Sequence, residues 1–269
     1  MENIFIFKDT IIAIFIVSFI IGIMGSIVVL RNISSIAGSV SHAILGSIGL
    51  ANFFNLNPYI INIPFGIFIG LIFFYIKIIL NNKDEGISSI IWSLGAALGI
   101  ILLHLSKNKS LAVSTYLFGN ILLINSFDNL VNFILLILVL LFLITFGEEI
   151  KITIFDEEYA KTLNLNTNFI NLIFYVLLSL SVVILVKSLG IILLISLFAI
   201  PSLIANKFSK NFYTLILFSV FVSLVSFILG FIIAFKFDLP LSSIITLILI
   251  ILFLLSNYIS IFIKKDIKN

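Results

Sequence analysis

His42 is the residue whose chemistry contrasts most with its surroundings, because it lies in a long apolar run flanked by small residues. A polar ring in the middle of a membrane is costly unless it has a partner, and small neighbours let other backbones approach closely. Neutral imidazole can also bind a divalent metal ion weakly enough to release it. The pattern predicts that His42 lines a transport pathway; the alternative is a packing histidine bonded to a backbone carbonyl.

Several other residues in apolar runs have simpler predicted roles. Gly38 and Gly46, on either side of Ser41, are predicted to allow close helix packing beside the pathway. Pro201 is predicted to end or kink its helix. His104, the second of the two histidines, lies near the end of its apolar run, and we expect it at the membrane interface.

The remaining residues supply no catalytic centre. The sequence has no Gly-rich phosphate loop with Gly-Lys-Ser/Thr, no His-Glu-x-x-His motif and no cysteine. Its carboxylates fall in loops or at the ends of apolar runs, whereas proton-coupled carriers usually keep an ionisable group within the membrane. We therefore expect a chain that is not itself an enzyme, binds no cofactor tightly and takes any energy from another subunit.

Transmembrane helices are the elements that must position these residues. The 269 residues are 62% hydrophobic and 10% charged, whereas globular chains carry about 25% charged residues. Apolar runs of roughly 18 to 24 residues recur from end to end, and about 20 residues span a bilayer. The sequence predicts an all-α, polytopic transmembrane bundle that forms a single domain over residues 1–269. The cations behind the net charge of +3 sit in short loops, which indicates membrane topology rather than nucleic-acid binding.

The predicted spans follow the apolar runs. They lie at residues 10–30, 38–55, 59–80, 86–105, 129–147, 169–188, 190–206, 212–235 and 240–263. The second is interrupted by Asn52 and Asn55, and the seventh is short and carries Pro201. Either of these two segments can be broken or re-entrant, so the sequence is compatible with eight or nine crossings.

Lysine and arginine predict the orientation, since cytoplasmic loops carry most of them. With nine spans, the side that receives the carboxyl terminus holds Arg31, Lys83, Lys151, Lys161, Lys207, Lys210, Lys264, Lys265 and Lys268. The other side receives Lys8, Lys107, Lys109 and Lys236. This asymmetry predicts an amino terminus outside the cell. Lys77 and Lys187 lie near span ends, where they can snorkel to the interface.

Two connections are longer than turns. The outer one, residues 105–128, contains an apolar piece at 116–123 that is too short to cross. The cytoplasmic one, residues 148–168, carries Asp156, which can cap a short helix whose first turn holds two glutamates. Such a helix fits either a partner subunit or the membrane surface.

Five segments resemble motifs of one family, in the same order along nearly the whole chain. They are Ser41-His42-Ala43-Ile44-Leu45, Leu117-Phe118-Gly119, Phe155-Asp156-Glu157-Glu158-Tyr159-Ala160, the stretch from Val186-Lys187-Ser188-Leu189-Gly190 to Ile200-Pro201, and Asp238-Leu239-Pro240-Leu241-Ser242-Ser243. The chain thereby resembles the integral membrane permeases of bacterial ABC importers for zinc, manganese and iron.

The resemblance implies a permease that forms the pathway for divalent metal ions in the bacterial inner membrane, with His42 as a transient ligand. It implies two permease copies, here expected as a homodimer in membrane lipid, and a cytoplasmic ABC ATPase that binds the ATP. An extracytoplasmic metal-binding protein delivers the ion. The coupling helix that docks into the ATPase is implied at Phe155, Asp156, Glu157, Glu158, Tyr159, Ala160 and Asn164.

The sequence departs from the family pattern at three positions. Many members carry Asp four residues before the histidine, on the same helix face, where this chain has Gly38. In the coupling segment, Glu157 stands where Pro is common and Asn164 where Gly is common. The first departure indicates weaker or altered metal coordination at His42.

Three rival functions remain open at this point. One is a permease of the same architecture for a metal chelate such as a siderophore or cobalamin, although the short chain and the histidine motif fit the metal branch better. Another is a secondary carrier independent of an ATPase, which would need an ion-coupling carboxylate within the membrane. The last is a structural membrane subunit without transport.

Overall fold

The computed structural model describes residues 8–80, 84–106 and 113–266, and within these ranges the chain is helical and has no β-strand. In chain order the helices are α1 (Lys8–Leu30), α2 (Ser34–Phe53), α3 (Pro58–Leu80), α4 (Asp84–Leu105), α5 (Val113–Phe118), α6 (Ser126–Phe155), α7 (Glu157–Thr162), α8 (Thr167–Leu189), α9 (Ile191–Phe208), α10 (Phe212–Phe237) and α11 (Leu241–Asp266). A 3₁₀ turn, Ile121–Leu123, lies between α5 and α6. The predicted all-α fold is confirmed.

Nine of the described helices, all except α5 and α7, are long and apolar enough to cross a membrane. The shortest, α9, has 18 residues and reaches about 27 Å at 1.5 Å per residue, close to the roughly 30 Å of a hydrocarbon core. Within the described ranges the structure therefore favours nine crossings over eight. Four lysines used to predict the orientation, Lys83, Lys107, Lys109 and Lys268, lie outside these ranges.

The centre of the bundle is formed by α1, α2 and α8, whose side chains are mostly buried. α1 packs against α6, α9 and α10, and α8 packs against α3 and α6. α2 packs against α3, α4, α8 and α9. α4 and α11 lie at the periphery and expose apolar side chains such as Leu98 and Leu254. Helices that are apolar on every face suit this arrangement, because lipid covers what the bundle leaves exposed.

The two segments in doubt from the sequence are both continuous helices. α2 runs through Asn52 and ends at Phe53. α9 runs through Pro201 and ends at Phe208, so of the two predicted effects of Pro201, ending or kinking its helix, the first does not occur. Proline removes one backbone donor from the helix, but the buried packing around α9 holds the helical path.

The helix that contains the predicted span at 129–147 is longer than that span, because α6 has 30 residues and continues to Phe155. Hydropathy falls at Glu148, but glutamate and lysine are good helix formers and do not end a helix that projects beyond the apolar region. The predicted cytoplasmic connection at 148–168 therefore begins with an extension of α6, and α7 follows it directly. On the outer side, α5 and the 3₁₀ turn are the apolar piece predicted to be too short to cross.

Candidate functional site

His42 lies near the middle of α2 and its side chain is half-buried. Its ring stacks on Trp92 of α4, with ring centroids 4.2 Å apart and planes inclined by 16°. The described residues form no hydrogen bond with either ring nitrogen of His42. Stacking therefore holds the ring, and both nitrogens are available to a ligand.

The stack depends on a close approach between α2 and α4. A Cβ atom added to Gly95 would lie 2.3 Å from the Ala43 Cα, and one added to Gly99 would lie 2.4 Å from the Leu45 carbonyl carbon. Such distances leave no room for a side chain, so the two helices touch through their backbones, as small residues allow in membranes. Gly95 and Gly99 therefore bring α4 close enough to α2 for the Trp92 indole to lie over His42.

The other residues predicted beside His42 differ in how tightly they pack. An added Cβ would lie 3.7 Å from the tryptophan ring at Gly38 and 3.6 Å from a carbonyl oxygen of α4 at Gly46, so both positions have ordinary van der Waals space. Gly49 is tight, with its added Cβ 2.9 Å from an α4 carbonyl oxygen. The Ser41 hydroxyl donates to a backbone carbonyl of its own helix at 2.7 Å, so it does not point a free proton at the histidine.

Pro201 belongs to a different contact from His42. On either side of it, Phe198 and Ser202 lie against Gly25 of α1, whose added Cβ would be 2.8 Å from the Phe198 carbonyl oxygen. The hydroxyls of Ser202 and Ser219 are 2.8 Å apart and join α9 to α10. The structure therefore places Pro201 in the packing of α9 against its neighbours.

The described residues contain no group of three or more His, Asp or Glu side chains that could enclose a metal ion. His42 is thus a solitary nitrogen donor within the bundle rather than part of a closed site.

The short helix α7 is capped at both ends. The Asp156 carboxylate accepts the Tyr159 N–H at 2.8 Å, which confirms the predicted cap. At the other end Asn164 has φ of 58°, and the Leu165 N–H bonds to the Ala160 carbonyl at 3.1 Å, the closing pattern of a Schellman motif. Asparagine is among the few residues besides glycine that adopt this left-handed conformation readily, which explains its presence here.

One face of α7 is anchored to the membrane-spanning helices. Glu157 forms an ion pair with Lys77 of α3 at 3.2 Å, and only 14% of the Lys77 side chain and 30% of the Glu157 side chain are exposed. Ala160 is completely buried. Glu157, which stands at the family's proline position, therefore holds α7 to α3 through Lys77.

Arg31, in the turn between α1 and α2, lies close to the same anchor. Its guanidinium donates to the Asn171 side-chain oxygen at 2.7 Å and lies 4.6 Å from the centre of the Phe174 ring, both on α8. Burial lowers the pKa of Arg31, while the charges of Tyr175 and Glu157 act to raise it. Glu157 of α7 therefore contributes to the electrostatic environment of the α1–α2 turn.

Apolar side chains on α7 and directly beside it are exposed. Phe155, Tyr159 and Leu163 follow one another at four-residue spacing, and 71%, 54% and 46% of their surfaces are exposed. Glu158 is also exposed. Tyr159 and Leu163 lie four residues apart on α7 and its carboxyl end and therefore lie together. Phe155 ends α6, and the extended backbone of Asp156 separates it from α7. All three are exposed at the end of the bundle assigned to the cytoplasm.

A charged cluster joins three helices at the other end of the bundle. The Asp128 carboxylate of α6 is 3% exposed and lies 2.7 Å from the Lys187 ammonium of α8. It also accepts the Tyr59 hydroxyl proton of α3 at 2.5 Å. A buried carboxylate needs such partners, and Lys187 therefore forms an ion pair where the sequence suggested a snorkelling side chain.

Two motif glycines meet near this end. Gly119 and Gly190 have φ of 62° and 78°, and a Cβ added to Gly119 would lie 2.2 Å from the Gly190 nitrogen. Both the backbone conformation and the contact require glycine. Nearby, Asp238 ends α10 with φ of 53°, and with Pro240 it lines a cavity of about 450 Å³. This motif segment therefore forms the turn between α10 and α11.

The described residues form a bundle with nine long apolar helices, a histidine inside it and a capped short helix with exposed side chains at one end, which is the architecture of a multi-pass membrane permease. The profile of the ABC 3 transport family matches residues 3–260. The chain belongs to this family and is a multi-pass protein of the inner membrane.

Named relatives cover almost the whole chain. The manganese import system permease protein ScaB of Streptococcus gordonii is 30% identical over 94% of this chain and 91% of its own length. The high-affinity zinc uptake system membrane protein ZnuB of Buchnera aphidicola is 30% identical over 89% of this chain and 92% of its own. The solved structure of PsaBC from Streptococcus pneumoniae in complex with Fab is similar with a TM-score of 0.82 at 28% identity, over 93% of this chain and 90% of that one.

Sequence reasoning did not find Trp92 or the two ion pairs. Trp92 is the only tryptophan, and it precedes Gly95 and Gly99, whose Gly-x-x-x-Gly spacing signals a helix contact. That pattern was available in the sequence. The ion pair of Asp128 with Lys187 joins residues 59 positions apart, and no local pattern indicates such a contact.

Proposed function

We propose that this chain is the membrane-spanning permease subunit of an ATP-driven importer of divalent metal ions. Its full-length similarity to permeases named for manganese and zinc import carries this proposal. Zinc, manganese or iron is the transported substrate. The chain binds no cofactor tightly and does not itself hydrolyse ATP, which is bound by a partner subunit.

The exposed face of α7 supports docking into a cytoplasmic ABC ATPase. Phe155, Tyr159 and Leu163 offer apolar surface that no described helix covers. Burying exposed apolar side chains is favourable, so these three residues supply a hydrophobic contribution to docking. Nucleotide-driven movement of the ATPase then moves α7.

The anchored face of α7 supports transmission of that movement. The pair of Glu157 with Lys77 links α7 to α3, and α3 packs on both α2 and α8. Packed helices respond as discrete bodies rather than by continuous deformation. The movement therefore reaches α2, which carries His42, and changes which side of the membrane can reach the histidine.

The pathway itself is proposed to pass His42. Its half-buried ring has two available nitrogens and lies near the middle of a spanning helix. Imidazole is a good ligand for zinc and iron, and a single ligand allows release. Gly38, Ser41 and Gly46 are small residues, so they allow the ion to come close to the backbone of α2.

Other partners follow from the same assignment. A second copy of the chain completes the pathway as a homodimer, and lipid and this copy together cover the apolar surfaces of α4 and α11. An extracytoplasmic metal-binding protein delivers the ion at the outer end. The cations lie in short connections and near span ends, so no feature calls for nucleic acid.

Cellular metal content tests the proposed function. Zinc, manganese and iron are measured together under metal limitation in wild-type cells, in cells lacking this gene and in cells lacking the partner ATPase gene. We expect the cellular content of one metal to fall in both deletion strains, and to recover in each strain when its own deleted gene is restored. Normal uptake without the ATPase would support a secondary carrier, and loss of chelate uptake alone would support a chelate permease.

A further inference from the structure

We propose that Trp92 and His42 form one metal-responsive pair, in which the indole positions the imidazole for borderline cations such as Zn²⁺ in preference to Mn²⁺. The inference rests on the proposed function, since it concerns the pathway of the same permease. It assigns Trp92 as a positioning residue and His42 as the ligand.

The geometry of the stack leaves the ligand atoms free. The two rings lie 4.2 Å apart and are nearly parallel at 16°, so the indole covers one face of the imidazole. A metal ion binds an imidazole nitrogen in the plane of the ring, at its edge. The indole therefore fixes the plane of the ring without competing for the metal.

The indole is itself held in place. Trp92 lies one turn before Gly95 on α4, where the backbones of α2 and α4 are in contact. Trp92 is 42% exposed, so only its inner face is committed to His42. Metal-binding histidines are usually oriented by a hydrogen bond from the second ring nitrogen. Here the described residues form no such bond, and the aromatic stack takes over the orienting role.

The surrounding donors favour nitrogen-seeking cations. The described carboxylates lie near the ends of the spans or beyond them, and no group of three metal-binding side chains occurs among the described residues. Ser41 bonds back into its own helix. Imidazole suits zinc and iron, whereas manganese prefers carboxylate oxygens. The solitary imidazole therefore selects Zn²⁺ over Mn²⁺.

The single tryptophan makes this pair directly observable. The purified full-length chain in lipid nanodiscs is titrated with Zn²⁺ alone while Trp92 fluorescence is recorded. We expect a saturable change that His42→Ala abolishes and that the matched control His104→Ala retains. A Zn²⁺ response that survives in His42→Ala, or no response in the wild type, would overturn the proposal.

Substitution of the indole tests the positioning role separately. Zn²⁺ binding is measured by competition with a chromogenic zinc indicator, because these variants lack the fluorophore. Trp92→Ala is expected to weaken binding about 10-fold, as loss of an orienting partner does, whereas Trp92→Phe keeps a stacked ring and most of the affinity. Equal affinity in Trp92→Ala and wild type would show that the indole only fills space.

A carboxylate introduced beside the pair tests the preference. Gly38 lies one turn before His42 on the same face, and a Cβ there meets the indole at an ordinary 3.7 Å. Gly38→Asp is expected to raise the Mn²⁺ response of Trp92 relative to Zn²⁺; an unchanged ratio would refute the donor argument. None of these binding measurements requires transport, so a chain that binds Zn²⁺ at His42 yet supports no uptake would refute the proposed function alone.

Discussion

Replacing Gly99 by alanine probes the contact that places Trp92 over His42. The added methyl group would lie 2.4 Å from the Leu45 carbonyl carbon, and ordinary contact begins at 3.4 Å, so α4 must move outward by the 1.0 Å difference. The obstructing atoms belong to the backbone and cannot rotate away. Overpacking costs about 1–3 kcal/mol, and the better helix propensity of alanine offsets up to about 1 kcal/mol of this. With the full offset, we expect a net destabilisation of up to about 2 kcal/mol.

The same helix supplies a matched control. A Cβ added to Gly86 meets nothing within 4 Å, so Gly86→Ala gains helix propensity without a clash. Unfolding of both variants by increasing sodium dodecyl sulfate is followed by circular dichroism, and Trp92 emission reports the stack. Gly99→Ala is expected to unfold earlier and to show altered native emission, while Gly86→Ala matches the wild type or exceeds it. Equal midpoints for the two variants would refute the backbone-contact argument.

Three further substitutions test the ends of the bundle. Glu157→Gln removes the ion pair with Lys77 and should lower metal uptake per ATP hydrolysed; exchanging the two charges should restore part of it, and unchanged coupling would exclude a transmitting role. Lys187→Met leaves the buried Asp128 carboxylate without its cation and should cost about 2–3 kcal/mol of unfolding free energy, which the further change Asp128→Leu should largely recover. Asn164→Ala should destabilise the end of α7 by about 1 kcal/mol, because residue 164 has a left-handed φ. Hydrogen exchange should show this as faster exchange of the α7 amides, whereas Asn164→Gly should leave the exchange rates unchanged.

The spans were predictable because apolar runs of bilayer length have few alternative structures. The cap on α7 was predictable as well, since Asp156 and the acidic first turn are local signals. The end of α6 was not, because the fall in hydropathy at Glu148 marks where the apolar region ends rather than where the helix ends. The continuation of α9 past Pro201 was not predictable from the residue type, because it depends on the packing of the buried side chains of α9.

The contacts that His42 makes with other helices could not be predicted from the sequence, for a different reason. A helix that is apolar all round does not reveal which face meets which neighbour. The pairing of α2 with α4, and hence the stack of His42 on Trp92, follows from the backbone fit at Gly95 and Gly99. The sequence contains this Gly-x-x-x-Gly spacing but does not show which helix the two glycines contact.

Metal uptake by the reconstituted transporter tests the central claim most directly. Proteoliposomes containing this chain, its ATPase and the metal-binding protein are supplied with zinc, manganese or iron, and uptake is measured with and without ATP for wild type and His42→Ala. The account predicts uptake of a divalent metal that requires ATP and that falls strongly in His42→Ala while ATP hydrolysis persists. Uptake that is independent of ATP, or an absence of uptake of all three metals by the wild type, would contradict it.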